Sequence, residues 1–166
     1  MKRRRLVVIG LGSNIGDRLG AIRRTIARLE QVPELTVKAR SRIYESRPAG
    51  GPPQGDYLNA AVLVDTALEP RELLLEALAI ERELGRVRHE AVRWGPRTMD
   101  LDLLWIEGES VREPGLVVPH PRLRERPFAV RPLLDVVPDA VDPDTRERID
   151  TWPASRVPIS LFDGET

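Results

Sequence analysis

The sequence predicts an α+β fold: a ferredoxin-like βαββαβ core, its helices on one face of an antiparallel sheet, then a proline-rich C-terminal extension. Two observations lead there. The hydrophobic period switches between two and about 3.6 residues in the order strand, helix, strand, strand, helix, strand over residues 5–106. Beyond Ile106 the chain carries most of its 15 prolines and keeps no long periodic run.

The elements follow in order. Arg5 to Gly10 is short and apolar and ends on glycine, a buried strand. From Asp17, Leu19, Ile22, Ile26 and Leu29 recur at helical spacing until Pro33, which cannot continue a helix. Leu35, Val37 and Ala39 alternate with Thr36, Lys38 and Arg40, the period of a strand with one buried face. Residues 46–55, SRPAGGPPQG, read as an irregular loop. A second long strand, DYLNAAVLVDT, starts at Asp56. Glu69 and Pro70 open another helix, with Leu73, Leu74, Ala77, Ile80 and Leu84 inward and Gly85 at its end. After an arginine-rich loop, Thr98 to Ile106 makes a fourth strand, and a short helix is expected around Phe128 to Val136. No repeat or linker divides the chain, so residues 1–166 are expected to form one domain.

Composition removes several classes of function. With no cysteine there are no disulfides, thiolate nucleophiles or cysteine-ligated metals. His89 and His120 are the only histidines, too few for a histidine-rich metal site. Acids and bases balance at 26 each, so no overall field draws the protein to nucleic acid or to a membrane surface. Lysine occurs only at Lys2 and Lys38, leaving arginine, an anion clamp and a poor general base, as the main cation. The basic start MKRRR precedes an apolar run of only Leu6 to Leu11, with no small-residue cleavage site. A cytoplasmic location is the resulting expectation.

The segment RWGPRTMDLDLLW, residues 93–105, breaks the pattern of a buried strand with two acids. Residues two apart on a strand share a face at roughly 6–7 Å, so Asp100 and Asp102 project together while Met99, Leu101 and Leu103 face the core. Paired carboxylates repel unless a cation lies between them. Hard divalent ions such as magnesium take oxygen ligands and usually retain phosphate and water ligands. Two such ions held by one carboxylate pair clamp a phosphate chain. The preceding stretch supplies Arg86, Arg88, Arg93 and Arg97, cations that suit a transferring polyphosphate but that also fit a solvated loop. Trp94 either covers a flat ring or anchors this loop on the core.

Other motifs carry weaker signals. GLGSNIG, residues 10–16, misses the dinucleotide spacing and reads as a tight strand-to-helix turn, with Ser13, Asn14 or Asp17 capping the helix. Tyr57 and Asn59 share one strand face, opposite Leu58 and Ala60. An amide among apolar residues serves either the polar edge of a heterocycle or a neighbouring loop backbone. Phe128 is either a second wall for such a ring or core. His120, flanked by Pro119 and Pro121, lies beside Arg122, Arg124 and Arg126, which favours a phosphate contact.

Taken together, GLGSNIGDR, DYLNAAV, IERELGRVR, RWGPRTMDLDLL and VPHPRLRERPF resemble, in order from Gly10 to about Leu133, the 6-hydroxymethyl-7,8-dihydropterin pyrophosphokinase family of folate biosynthesis. The resemblance implies transfer of a pyrophosphoryl group from ATP to the hydroxymethyl group of 6-hydroxymethyl-7,8-dihydropterin, with release of AMP. It implies Asp100 and Asp102 as ligands of two Mg2+ ions bound with ATP, and Arg88 and Arg97 as catalytic loop arginines closing on the phosphates. Glu81, Arg86, Arg88, Trp94, Arg97, His120 and Arg126 would serve ATP. Tyr57 and Phe128 would stack on the pterin, with Asn59 and Ser46 at its edge. Leu78, Arg47, Ala49 and Pro121 depart from residues common in the family. A monomer without nucleic-acid or membrane partners is expected. The rival readings are a ferredoxin-like RNA-binding module, which few aromatics and zero net charge disfavour, and a simple γ-phosphoryl kinase acting on another small alcohol.

Overall fold

The structure is a computed structural model and describes residues 3–48, 51, 53–85 and 98–163. The strands are β1 (Arg5–Ser13), β2 (Leu35–Arg40), β3 (Tyr44–Ser46), β4 (Tyr57–Thr66), β5 (Asp100–Ile106), β6 (Val111–Glu113), β7 (Leu116–Val118) and β8 (Ser160–Leu161). The helices are α1 (Arg18–Leu29), α2 (Pro70–Glu83) and α3 (Pro127–Val136). The main sheet runs β5-β1-β4-β3-β8, with β2 pairing β4 beside β3, and every pairing in it is antiparallel.

Each helix is set by local chemistry. Asp17 caps α1, its carboxylate accepting the Gly20 N–H at 3.0 Å. In α2, Pro70 occupies the first turn, and the Glu72 carboxylate accepts the Glu69 N–H at 2.9 Å. Ile22, Ile26, Leu29, Leu73, Ala77 and Ile80 from these helices meet Val7, Ile9, Leu11, Leu58, Val62 and Val64 on one sheet face. Full burial of each large aliphatic side chain contributes about 1.5–3 kcal/mol, so this layer is the main core.

The second face has its own core. Val130, Leu133 and Val136 of α3 pack with Val8, Ala61, Leu104, Trp105, Ile149 and Trp152. The two helices of the βαββαβ segment, α1 and α2, thus share one face of the sheet, and α3 of the C-terminal extension covers the other. The reason lies in the strands: Val8 on β1, Ala61 on β4 and Leu104 on β5 place apolar side chains on the second face, which needs cover. A bulge in β5 enlarges that patch. Val8 pairs with Trp105 and Ile9 with Leu103, skipping Leu104, so Leu104 and Trp105 both turn to the second face.

Three further differences bear on the site. β1 does not end at Gly10 but runs to Ser13, because β4 and β5 flank it through Gly12 and hold its backbone. Residues 44–46 form a strand, pairing Tyr44 with Asn59 and Ser46 with Tyr57, so Ser46 ends β3 and does not begin a loop. The C-terminal part contributes a β6–β7 hairpin and adds β8 to the outer edge of β3.

Candidate active site

Beyond Val8 the second face loses its cover. Gly10 and Gly12 follow on β1 at the strand period, and without side chains they leave a bare floor. A Cβ on Gly10 would lie 2.9 Å from Leu104 Cδ1, and one on Gly12 would lie 3.5 Å from Tyr57 Cδ1. Asp102 pairs with Gly10 and Asp100 with Gly12 on one side, while Asn59 pairs with Gly12 on the other. The first turn of α3 and the segment before it form the opposite wall. The space between is a cavity of about 370 Å3, lined by Ser46 and Arg47 from β3 and the residue after it, Tyr57 and Asn59 from β4, Asp100 and Asp102 from β5, and His120, Arg122, Arg126 and Phe128 from the opposite wall.

The aspartates are partly exposed, whereas Met99, Leu101 and Leu103 are buried in the main core. This is the facing expected from strand period. Glu81 supports the strand from behind. Buried on α2, it accepts the Leu101 N–H at 2.8 Å, at the residue between the two aspartates. It does not line the cavity; its contact is with the backbone that carries the acids.

On β4, Asn59 is buried, and its amide donates to Ser46 Oγ at 2.7 Å. The partner of the strand amide is therefore a side chain on β3, not a loop backbone. Tyr57 and Phe128 are both half-buried and line the same cavity from β4 and α3. The Arg126 guanidinium lies 5.7 Å from the centre of the Phe128 ring.

His120 is fixed by two backbone bonds. Its N–H donates to the Leu104 carbonyl at 3.1 Å, and its Nδ1 accepts the Arg122 N–H at 3.2 Å. Burial, then the Arg126 charge, lowers its pKa to about 4, with Arg122 adding to the effect and Asp100 opposing it. The ring is thus neutral near pH 7, and with Nδ1 accepting, its proton sits on Nε2 as a donor. Arg122 is held by Glu125 at 3.3 Å on the exposed rim.

The cavity thus gathers Ser46, Tyr57, Asn59, Asp100, Asp102, His120, Arg126 and Phe128. Arg86, Arg88, Trp94 and Arg97 lie outside the described residues, as does Ala49. Leu78 and Pro121 do not line the cavity, while Arg47 does. The sequence reads Gly10 and Gly12 only as part of a strand-to-helix turn and gives Glu125 no role. The two glycines had a usable signal, since their spacing of two on a strand clears one face.

The donor set suits a hard divalent cation. Among the described residues no three histidine, aspartate or glutamate side chains gather to hold a metal. Two carboxylates on one face leave most positions of an octahedral ion to phosphate and water, the usual arrangement of magnesium with a nucleotide.

Known proteins resemble the chain in sequence and in fold. The model of the family described as 7,8-dihydro-6-hydroxymethylpterin-pyrophosphokinase (HPPK) matches residues 8–138. A 2-amino-4-hydroxy-6-hydroxymethyldihydropteridine pyrophosphokinase of Bacillus subtilis is 47% identical over 131 residues, covering 79% of this chain and 77% of its own. The enzyme of that name from Synechocystis is 44% identical over 142 residues, covering 86% of this chain and 71% of its own. Among solved structures, an HPPK-DHPS in complex with substrates superposes with a TM-score of 0.70 at 13% identity, over 92% of this chain and 43% of that longer one. At that identity the likeness is one of fold.

Proposed function

The chain belongs to the 7,8-dihydro-6-hydroxymethylpterin-pyrophosphokinase family, and from that premise we propose how its cavity divides the work between two substrates. The protein is an ATP-dependent diphosphotransferase of folate biosynthesis, moving pyrophosphate from ATP to the hydroxymethyl group of 6-hydroxymethyl-7,8-dihydropterin and releasing AMP.

The pterin occupies the end built by Ser46, Tyr57, Asn59 and Phe128. Two aromatic rings supply the walls for a flat heterocycle, and the buried Asn59 amide with Ser46 reads its polar edge. ATP lies along the other end, its phosphates over Asp100 and Asp102. These two residues would hold two magnesium ions with the nucleotide, and the metal would supply charge neutralisation at the phosphate oxygens. His120, neutral and donating from Nε2, bonds a phosphate or ribose oxygen, and Arg126 supplies a fixed positive charge beside it. Arg88 and Arg97 close on the phosphates as catalytic cations, with Arg86 and Trp94 completing the nucleotide contacts. Glu81 serves ATP indirectly, by fixing the backbone between the aspartates. The hydroxymethyl oxygen attacks the β-phosphorus in line and AMP leaves. The enzyme's contribution is to align the two substrates and place charge around the group in transit.

One observation carries this division: the carboxylate pair on β5 and the Tyr57–Asn59 pair on β4 face one cavity from the two strands that flank β1, with Phe128 of α3 opposite. The strand order β5-β1-β4-β2 supports a ferredoxin-like core, and we take residues 1–166 as one pyrophosphokinase domain. We take the protein to act as a cytoplasmic monomer without nucleic-acid or membrane partners. No described helix is long and apolar enough to cross a membrane, and the net charge is zero.

The test is product analysis. Incubation with ATP, magnesium and 6-hydroxymethyl-7,8-dihydropterin should yield AMP only when the pterin is present. ADP as the product would replace pyrophosphoryl transfer with γ-phosphoryl transfer.

A further inference from the structure

A polar cluster outside the cavity joins its two walls. Asp135, in the last turn of α3, accepts the Tyr44 hydroxyl at 2.9 Å, the Arg42 backbone N–H at 3.1 Å, and the Arg42 guanidinium at 2.9 and 3.2 Å. The Tyr44 ring is 1% exposed, and burial followed by the Asp135 hydrogen bond raises its pKa, so the phenol stays protonated and donates. An acid in the last turn of a helix opposes the helix dipole, and α3 has no basic residue there to offset it. Something other than helix stability accounts for Asp135.

We propose that Asp135 is a positioning residue for the pterin slot, acting through Tyr44 to lock β3 to α3 and so fix the gap between Asn59 and Phe128. This rests on the assignment of that slot to the pterin. Tyr44 is the direct ladder partner of Asn59, and Ser46, two residues on, takes the Asn59 amide bond. β3 is therefore the support of the edge-reading amide. Phe128 sits seven residues before Asp135, about two helical turns, which puts both side chains on one side of α3 at roughly 10 Å along its axis. The helix thus reaches the sheet with Phe128 at the cavity and Asp135 at β3. β3 spans only Tyr44–Ser46 and is backed on its outer edge by the two residues of β8. So short a strand has few ladder bonds of its own to hold its distance from the helix.

The experiment compares Tyr44→Phe, Asp135→Asn and Phe128→Ala with the parent enzyme. Pterin Kd is measured by fluorescence with a non-hydrolysable ATP analogue and magnesium present. ATP affinity and urea stability are measured alongside. Tyr44→Phe keeps the buried ring and removes only the bond. It should raise pterin Kd about five- to tenfold while ATP affinity stays within about twofold. Combining it with Asp135→Asn should add little beyond the larger single effect, because both break one link. A merely structural cluster would lower stability and leave the ratio of pterin to ATP affinity unchanged, and that result overturns the proposal. Weak pterin binding by Phe128→Ala with normal binding by Tyr44→Phe also overturns it, while keeping the slot. Normal binding by Phe128→Ala removes the slot assignment, and the proposal with it.

Discussion

His120 offers a prediction whose size follows from the structure. Burial and the Arg126 charge place its pKa at about 4, against 6.5 for an ordinary histidine. The unfolded chain therefore binds a proton at mildly acid pH that the folded chain refuses, so stability falls as pH drops from 6.5 towards 4 and is unaffected by this group above that window. At about pH 5 the full shift corresponds to roughly 2 kcal/mol of lost stability, and solvent screening of the partly exposed ring reduces this to about 1 kcal/mol. His120→Asn retains an acceptor for the Arg122 N–H but does not titrate. Urea unfolding without nucleotide, at about pH 7.5 and about pH 5, gives the test. The parent should lose about 1 kcal/mol more than the variant between those two values. Equal losses, or a His120 ring titrating near 6.5 by NMR, would refute both the buried, cation-flanked environment and the neutral donor assigned to the site.

Three further outcomes follow from the same geometry. Asp102→Ala should lower turnover about a hundredfold or more with the fold intact by circular dichroism, and near-parental turnover would remove the metal assignment. Gly10→Ala brings a Cβ within 2.9 Å of Leu104 Cδ1 and 3.1 Å of its Cγ. It should cost about 1–3 kcal/mol in urea unfolding, and a neutral result would mean that Leu104 yields freely in its bulge. Glu81→Ala leaves the Leu101 N–H without its carboxylate and should destabilise by about 1–3 kcal/mol, whereas Glu81→Gln, which keeps an acceptor, should recover most of that loss.

The parts of the fold legible in the sequence were those written as long apolar periods. α1, α2, β4 and β5 each carry several apolar residues at one spacing, and their hydrophobic face leaves one choice of packing. β3 was not legible because Tyr44–Ser46 is only three residues long, followed by glycine and proline, and owes its existence to β4 and β8. The cover on the second face was hidden for a related reason. Leu104 and Trp105 are consecutive, and alternation would send them to opposite sides; the bulge that turns both the same way belongs to the pairing with β1.

In the site, the aspartate pair could be read because spacing two on a strand fixes direction without any tertiary information. The same rule applied to Gly10 and Gly12 would have found the floor, but glycine in a strand-to-helix turn invites a reading in terms of backbone freedom, and the alternation went unused. Here the side chain's absence matters more than the backbone angle: Gly16 and not either floor glycine carries the positive φ, at 69°. Glu81 marks the opposite limit. Its helical position predicts burial, but not that the carboxylate ends on the Leu101 N–H of a strand 20 residues further on. A backbone partner leaves no residue-type signature in the chain, so the bond becomes visible only when α2 and β5 are placed side by side.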